Sequence, residues 1–581
     1  MKSVMVNQFK QLPDVSFGRN TFNRSSGSLL TLDAGKIYPV WYDEVVPGDT
    51  KKLTMSFFGR INTMIVPSYV NLYLDAHLWF VPRRLVWEDW SFFLGETVNN
   101  YGTSSPDPDS LLVPIVEAPE GGFESCELLD YLTMPPGINN LFIDACYPRS
   151  YNLIWNTFYR SETLQEAVKV PVVSEDDDPS LYKLLPRGKR FDYFTSCLPE
   201  PQRGESVYLP LGGTAPVMGN KSRFDLTYIS ASPGDQGYIS SRNGVAGFEG
   251  VLTFQNEWVP PPDSPLYYPS GDLGLTADLS KATSLSVQAF RNLVALQQFL
   301  ERENRYGTRL QELIYGHFGV TAPDYRLQYP EYLGGTTIRL NVSSVPQTSS
   351  TETASVYMQQ EMSLLRQKLE TNKKSLKSMS DEEQSSYLQT LARYNDLSRA
   401  VTSTPQGNLA AYGTLSDTGS GFYRSFVEHG IILCLVSIRG DLRYQQGVDR
   451  MLTRRKKLDF MYPEFVGISD QEVYNREIYA DGTSADAEIF GYQERYGEYR
   501  YHNSYVMGKM RSSDPQSLDI WHDAQYFENR PKLNAEFIEE NPPIERLIAV
   551  PSEPQFTLDC LFELADTREL PLFGIPGLQR L

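Results

Sequence analysis

The stretch LYLDAHLWF, residues 72–80, has the clearest structural pattern in this chain. Every second residue is apolar, beginning with Leu72 and ending with Phe80, and Asp75 and His77 lie between them. A period of two is that of a half-buried β-strand, because successive side chains of a strand point to opposite faces. The stretch therefore predicts a strand with one face in a core.

Similar patterns occur towards both ends of the chain. Leu53, Met55 and Phe57 repeat the alternation, as do residues 556–562, and residues 431–438 form a continuous apolar run. Such a run is typical of a strand that is covered on both faces. Because the strands near residues 53 and 72 need partners from beyond residue 430, we expect one sheet framework closed by distant segments, as in a jelly roll, with long excursions between.

The composition agrees with a mainly β fold. The chain has 581 residues, with 38 Pro, 41 Gly and 36 Tyr beside an ordinary 41% of hydrophobic residues. Such a composition is typical of many short strands joined by long, turn-rich connections.

Several long excursions have patterns of their own. Apolar residues at helical spacing predict helices within residues 287–300 and 310–314. Residues 203–275 are rich in Gly, Pro, Ser and Tyr, which predicts an irregular surface lobe with short β pieces. Residues 354–402 carry a seven-residue apolar repeat, interrupted by Asn372, and then a second helical pattern, so we expect an antiparallel helical hairpin there.

The charge limits what the chain can bind. A formal net charge of −19 opposes tight binding to a polyphosphate, so any contact with nucleic acid must be local. The densest positive charge is Arg454, Arg455, Lys456 and Lys457. This cluster predicts a weak, nonspecific contact with DNA phosphates, but salt bridges between subunits are an equally open interpretation, since acidic residues lie close by in the sequence.

Cysteine spacing and the N-terminus give two further expectations. The five cysteines are odd in number, far apart and without a CxxC pair, so we expect reduced and mostly buried thiols. The first residues contain no apolar stretch of the length that a signal peptide needs, and no run is long enough to span a bilayer. These features predict a chain made in the cytoplasm without a membrane anchor.

No catalytic motif stands out, and we predict that the chain is not an enzyme. The sequence has only five histidines, no HExxH pair, no GxSxG elbow and no phosphate-binding GxxxxGK[ST] loop, so we assign no catalytic, cofactor-binding or metal-ligating residue. The acidic run at residues 175–178 could offer ligands to calcium, but a solvated turn before Pro179 is the favoured interpretation. His77 and His522 are interpreted as hydrogen-bonded structural histidines.

Eight segments, in order along the chain, resemble the major capsid proteins of gokushoviruses in the Microviridae. They are Pro39–Asp49 (PVWYDEVVPGD), Asn71–Trp90 (NLYLDAHLWFVPRRLVWEDW), Asp192–Pro199 (DYFTSCLP), Arg326–Gly335 (RLQYPEYLGG), Thr404–Gly413 (TPQGNLAAYG), Gly491–Tyr501 (GYQERYGEYRY), Trp521–Gln525 (WHDAQ) and Ser552–Phe556 (SEPQF).

The resemblance implies an eight-stranded antiparallel jelly roll, assembled in the bacterial cytoplasm into a small T=1 icosahedral shell around circular single-stranded DNA. It also implies a virion location, a small basic DNA-binding virion protein as partner, and surface insertions that attach to a host receptor. The expected divisions are 1–202 (shell), 203–275 (lobe protruding at the threefold axis), 276–345 (helical and loop part of the shell), 346–405 (inserted helical hairpin) and 406–581 (C-terminal shell strands and arm).

One alternative comes from a different class of protein. A secreted or surface-bound β-sandwich that binds carbohydrate would share the strand patterns. The lack of a signal peptide and of paired cysteines counts against it. A sizing column separates the two interpretations, since a shell elutes as one very large species.

Overall fold

The computed structural model divides the chain into two compact units, residues 1–201 with 304–581, and residues 202–303. It describes the following residues: 18–96, 111–204, 207, 217–219, 227–229, 236–238, 275–277, 287–306, 310–321, 327–344, 361, 363–369, 386–391 and 411–573.

Two antiparallel sheets dominate the first unit. Their strands are β1 (Asn20–Asn23), β2 (Ser26–Leu32), β3 (Ile37–Val45), β4 (Thr50–Ile61), β5 (Leu72–Pro82), β12 (Glu331–Arg339), β13 (Asn341–Ser344), β14 (Ala411–Ser425), β15 (Gly430–Gly440) and β18 (Phe556–Arg568). In one sheet β1 and β2 both pair with β18, and the order continues through β4 and β14 to β13; the other sheet has the order β12-β5-β15-β3.

The two sheets pack face to face as a β-sandwich around one apolar core. That core contains Leu53, Met55 and Phe57 of β4, Leu72, Leu74 and Leu78 of β5, Ile432, Cys434 and Val436 of β15, and Phe556, Leu558, Cys560 and Phe562 of β18. The alternating face predicted for β4, β5 and β18 lies in this core, and the apolar run of β15 is buried on both faces, as predicted. The expected long-range pairing is confirmed too, because β4 pairs with β18 and β5 pairs with β15.

The outer face of β5 differs from the prediction of a half-buried strand. Trp79 and Val81 point away from the first core and pack into a second one, together with Trp87, Tyr151 and Trp155. This second core forms because part of the connection from β5 to β12 folds back over the sheet. A strand pattern cannot reveal such a cover, since it depends on residues far along the chain.

Short elements build the connections of the first unit. They are α1 (Trp90–Phe93), β6 (Ile115–Glu117), α2 (Leu128–Tyr131), β7 (Phe142–Asp144), α3 (Cys146–Ile154), β16 (Gln471–Tyr474), α6 (Asn475–Ile478), β17 (Ile489–Gln493) and α7 (Ala535–Ile538). A third apolar cluster joins Tyr193 and Phe194 to Tyr444, Val473 and Phe490. The long connection between β15 and β18 is therefore packed, although it contains little regular structure.

The second unit contains short paired strands. They are β8 (Val217–Gly219) with β11 (Leu275–Ala277), and β9 (Thr227–Ile229) with β10 (Gln236–Tyr238). Helices α4 (Val287–Tyr306) and α5 (Leu310–Phe318) occupy the stretches where the sequence predicts helices.

Helical residues 361, 363–369 and 386–391 fall within the predicted hairpin, but the rest of the hairpin lies outside the described residues. Among the described helices, none has both the length and the apolar character that a bilayer crossing requires.

All five cysteines are described, and none forms a disulfide. Cys146, Cys197, Cys434 and Cys560 are buried, whereas Cys126 is exposed. Burial raises the pKa of the four buried thiols. The prediction of mostly buried thiols is confirmed.

Candidate nucleic-acid interface

The predicted basic cluster lies in a segment built from three short 3₁₀ turns, Arg450–Leu452, Lys457–Asp459 and Pro463–Phe465. Asp449 caps the first turn, because its Oδ1 accepts the backbone N–H of Met451 at 2.7 Å. Asp459 Oδ2 accepts the backbone N–H groups of Arg455 (2.8 Å) and Lys456 (2.7 Å), and these hydrogen bonds lower the pKa of Asp459. The two nearby acids thus shape the backbone.

Arg454 is used within the subunit. Its Nη2 lies 2.6 Å from Glu498 Oε1, its Nη1 donates to the Tyr499 hydroxyl at 2.8 Å, and its guanidinium lies 4.6 Å from the centre of the Tyr499 ring. Only 8% of the side chain is exposed. A guanidinium with a charged partner at this distance is not free to bind a phosphate.

The other three cations of the cluster face solvent. Arg455, Lys456 and Lys457 are exposed. Within the described part of the chain the structure gives none of these side chains an ion pair, and Lys457 Nζ lies 5.9 Å from the centre of the Tyr462 ring. Contact with DNA stays a prediction for the cluster, and the geometry limits it to these three residues.

A cleft beside the cluster carries both signs of charge. Arg450 anchors it, because Nη1 donates to the Glu472 carbonyl at 2.6 Å and lies 3.0 Å from Glu477 Oε1. Burial raises the pKa of Glu477, and Arg450 partly offsets that shift. The charged residues lining the cleft are Arg450, Arg454, Arg476, Arg495, Asp459, Asp470, Glu472 and Glu498. Four acids against four arginines make the cleft a poor site for a polyanion.

The prediction of a solvated turn at residues 175–178 is wrong for Asp177. That carboxylate is buried and makes a bidentate pair with Arg149, whose Nε and Nη2 lie 2.6 and 2.8 Å from its oxygens. Asp178 accepts the backbone N–H of Ser180 at 2.9 Å and caps a 3₁₀ turn. Where residues are described, no three His, Cys, Asp or Glu side chains converge in a way that could hold a metal ion.

The interpretation of His77 and His522 as hydrogen-bonded structural residues is confirmed. His77 Nδ1 lies 2.8 Å from the Tyr159 hydroxyl. His522 lies 2.6 Å from the Met510 carbonyl through Nε2, and its Nδ1 accepts the backbone N–H of Ala524 at 3.1 Å.

We expect His77 to make the subunit sensitive to acid. Burial, assisted by the positive charge of Arg187, lowers the pKa of His77 from 6.5 to about 4. Between these two pH values the unfolded chain binds a proton that the folded chain does not bind, so stability falls as the pH falls. Between pH 6.5 and pH 4 the unfolding free energy of the natural chain should therefore fall more than that of the His77→Gln variant, by up to about 3 kcal/mol.

Denaturant unfolding of the subunit across this pH range measures the effect. The exposed His502 provides a matched control, because His502→Gln should leave the pH dependence unchanged. An equal pH dependence in the natural chain and in His77→Gln would contradict the prediction.

Comparison with known proteins gives a match along nearly the whole chain. The family model described as "Capsid protein (F protein)" matches residues 10–383 and 384–578. "Capsid protein VP1" of Bdellovibrio phage phiMH2K is 37% identical over 580 residues, covering 98% of this chain and 97% of that protein.

Two further relatives carry the same name. "Capsid protein VP1" of Chlamydia phage 1 is 35% identical and covers 100% of this chain and 99% of its own length. "Capsid protein VP1" of Spiroplasma virus 4 is 31% identical and covers 99% of this chain and 98% of its own length. The resemblance seen in the eight sequence segments is confirmed by these matches.

Proposed function

Since this chain belongs to the phage capsid protein (F protein) family, a family of structural proteins rather than enzymes, we propose that many copies of it assemble into a small T=1 icosahedral shell around circular single-stranded DNA. One observation carries the proposal, namely that three capsid proteins VP1 match the chain over 98–100% of its length. The chain is a capsid protein and is located in the virion. The rival interpretation, a carbohydrate-binding β-sandwich, is not favoured.

The strand order supports a jelly-roll tile. The four-strand run β2-β18-β4-β14 lies in one sheet and β12-β5-β15-β3 lies in the other, and all neighbours are antiparallel. Along the chain these eight strands alternate between the two sheets, except that β5 and β12 follow each other in the same sheet. Two Greek keys wound into an eight-stranded jelly roll have this arrangement. In this proposal the sandwich is the rigid tile and its connections form the contacts with neighbouring subunits.

The two insertions are proposed to form the outer surface. The lobe at 203–275 would protrude at the threefold axis and the hairpin at 346–405 would also face outward, where a host receptor can reach them. The separate compact unit at residues 202–303 supports this assignment, because a unit distinct from the sandwich can vary in sequence without disturbing the sandwich.

Contact with the genome is proposed to be weak and nonspecific. The net charge of −19 supports this, as does the engagement of Arg454 by Glu498, which leaves three of the four cations of the cluster exposed. A small basic virion protein would then supply most of the neutralisation of the DNA, and assembly would take place in the host cytoplasm.

Shell formation is the direct test of the proposed function. The full chain, expressed in bacteria and purified, should sediment as one very large species and appear as closed shells by electron microscopy, because its interfaces are complete only between copies. A stable, compact monomer at every concentration in the ultracentrifuge would contradict the proposal.

A further inference from the structure

Residues 451–468 form a surface that is both apolar and basic, and we call it the basic segment. Leu452 is 80% exposed, Leu458 is 64% exposed, and Phe460 and Met461 are about half exposed. Large apolar side chains seldom gather on the free surface of a soluble protein unless another molecule covers them. The cations Arg455, Lys456 and Lys457 lie between them in the chain.

The basic segment is held in shape by polar anchors at its start. Arg450 and Arg454 bind acids of the body, and Thr453 Oγ1 donates to the Arg450 carbonyl at 3.0 Å. The turns are capped by Asp449 and Asp459, as described above. The apolar side chains therefore project from a preformed backbone, and a preformed surface loses little conformational entropy when it binds.

This combination of groups favours a protein partner over DNA. The three cations could bind either phosphates or carboxylates. Leu452, Leu458 and Met461, however, are aliphatic and gain free energy when they leave water against another apolar surface, which a phosphate backbone does not offer. Unpaired bases stack chiefly on aromatic rings rather than on such side chains. The partner should therefore present carboxylates beside exposed apolar side chains.

Another surface of the same chain has that chemistry. Glu117, Glu120 and Glu124 are exposed, and the structure gives none of them an ion pair among the residues it describes. Phe142, which pairs with Glu117 across β6 and β7, is 67% exposed, and Ile138 is 47% exposed. We call these five residues the acidic face.

The parts of the acidic face are joined by short contacts. The backbone N–H of Gly121 donates to the Asn139 side chain at 2.8 Å, and that of Ala118 donates to the Leu141 carbonyl at 2.8 Å. Next to Glu124 and Ile138, the backbone N–H of Gly137 donates to the Phe123 carbonyl at 2.9 Å. The three glutamates and the two apolar residues therefore belong to one local surface.

We propose that the basic segment of one copy docks on the acidic face of a second copy. The two surfaces complement each other in charge and both offer apolar area, which is the composition of a protein interface with a charged rim. Because the two surfaces differ, the contact is heterologous, and repetition by rotational symmetry would close it into a ring of subunits. The inference rests on the proposed shell function and names one of the contacts between subunits of that shell.

Charge reversal tests the contact. The double variant Arg455→Glu, Lys456→Glu should yield at least tenfold less assembled shell than the natural chain, because like charges would then face each other. Adding Glu117→Lys and Glu120→Lys to that variant should recover most of the shell. Lys183→Glu, at an exposed lysine outside both surfaces, is the control and should assemble normally. Sedimentation measures the shell, and thermal unfolding of free subunits shows whether each variant folds.

A chemical measurement supports the same test. Carbodiimide treatment of assembled shells should join Lys456 or Lys457 of one copy to Glu117, Glu120 or Glu124 of another, and peptide mass spectrometry would identify the linked pair. The link should be absent from unassembled subunits.

Three results would overturn the inference. The first is normal assembly of the reversed variant, and the second is failure of the fourfold variant to recover although it folds. The third is a normal yield of shells that contain less DNA, which would place the cations against the genome. Failure of the natural chain itself to form shells would instead contradict the proposed function.

Discussion

Replacing Asp566 by asparagine is expected to lower the free energy of unfolding by about 3–5 kcal/mol. Asp566 and Lys51 are both fully buried, with Lys51 Nζ 2.9 Å from Asp566 Oδ2. The same ammonium lies 2.6 Å from Asp43 Oδ2. Loss of the Asp566 charge leaves a buried cation only partly compensated, and water cannot reach it.

The effect should be large because Asp566 belongs to a balanced network. Arg24 bridges Asp43 and Asp566, and Arg568 bridges Asp49 and Asp566, so that three cations meet three carboxylates. The network joins strands β3, β4 and β18, whose residues come from both ends of the chain. Loss of the network would therefore weaken the pairing of β4 with β18.

Denaturant unfolding of the free subunit measures this loss. Asp559→Asn is the matched control, because Asp559 lies on the same strand and is exposed, and it should change the unfolding free energy by less than about 0.5 kcal/mol. The combination of Lys51→Met with Asp566→Asn should cost less than the sum of the two single variants. Additive costs, or a loss no larger than that of the control, would refute the network's role.

Replacing Arg149 by methionine is expected to destabilise the subunit by a similar amount, about 3–5 kcal/mol. Arg149 is fully buried in the second core, and it donates to the carbonyls of Val86 (3.0 Å), Val173 (3.0 Å) and Glu175 (3.2 Å) as well as to Asp177. Methionine fills much of the space but leaves the Asp177 carboxylate without its cation and three carbonyls without these donors.

A lysine at the same position separates charge from geometry. Arg149→Lys keeps the charge but cannot reproduce the planar fork, so it should recover only a minor part of the loss. Lys169→Met, at an exposed position, should be neutral within about 0.5 kcal/mol in the same unfolding measurement. Full stability of Arg149→Lys would mean that the hydrogen bonds to the carbonyls contribute little.

Part of the architecture could be predicted because it is encoded by neighbouring residues. Alternation in β4, β5 and β18 reports which face of each strand meets the core, and the unbroken apolar run of β15 reports that both faces are covered. These patterns depend on the two-residue period of a strand and need no knowledge of the partner strand. The order of the eight similar segments is also a property of the linear sequence, so the family could be identified without knowledge of the folded structure.

Local patterns could not predict which individual charged side chains are buried or paired. Asp177 lies in an acidic run typical of a solvated turn, yet Arg149 holds it in the core. Arg454 looks equivalent to its three basic neighbours, yet Glu498, 44 positions later, binds it. Leu452, Leu458 and Met461 lie close to these cations in the sequence, and they are the local signal that could have indicated an apolar surface there.

The core-facing sides of the strands, the mainly β fold and the capsid family can all be predicted from the amino-acid sequence of this protein. The cover over the outer face of β5, the contact of Lys51 with Asp566 across 515 positions, and the exposure of particular cations become visible only in the folded chain. The two kinds of feature differ because side-chain alternation is fixed by the local backbone, whereas burial and pairing of a charge depend on groups that folding brings from distant positions.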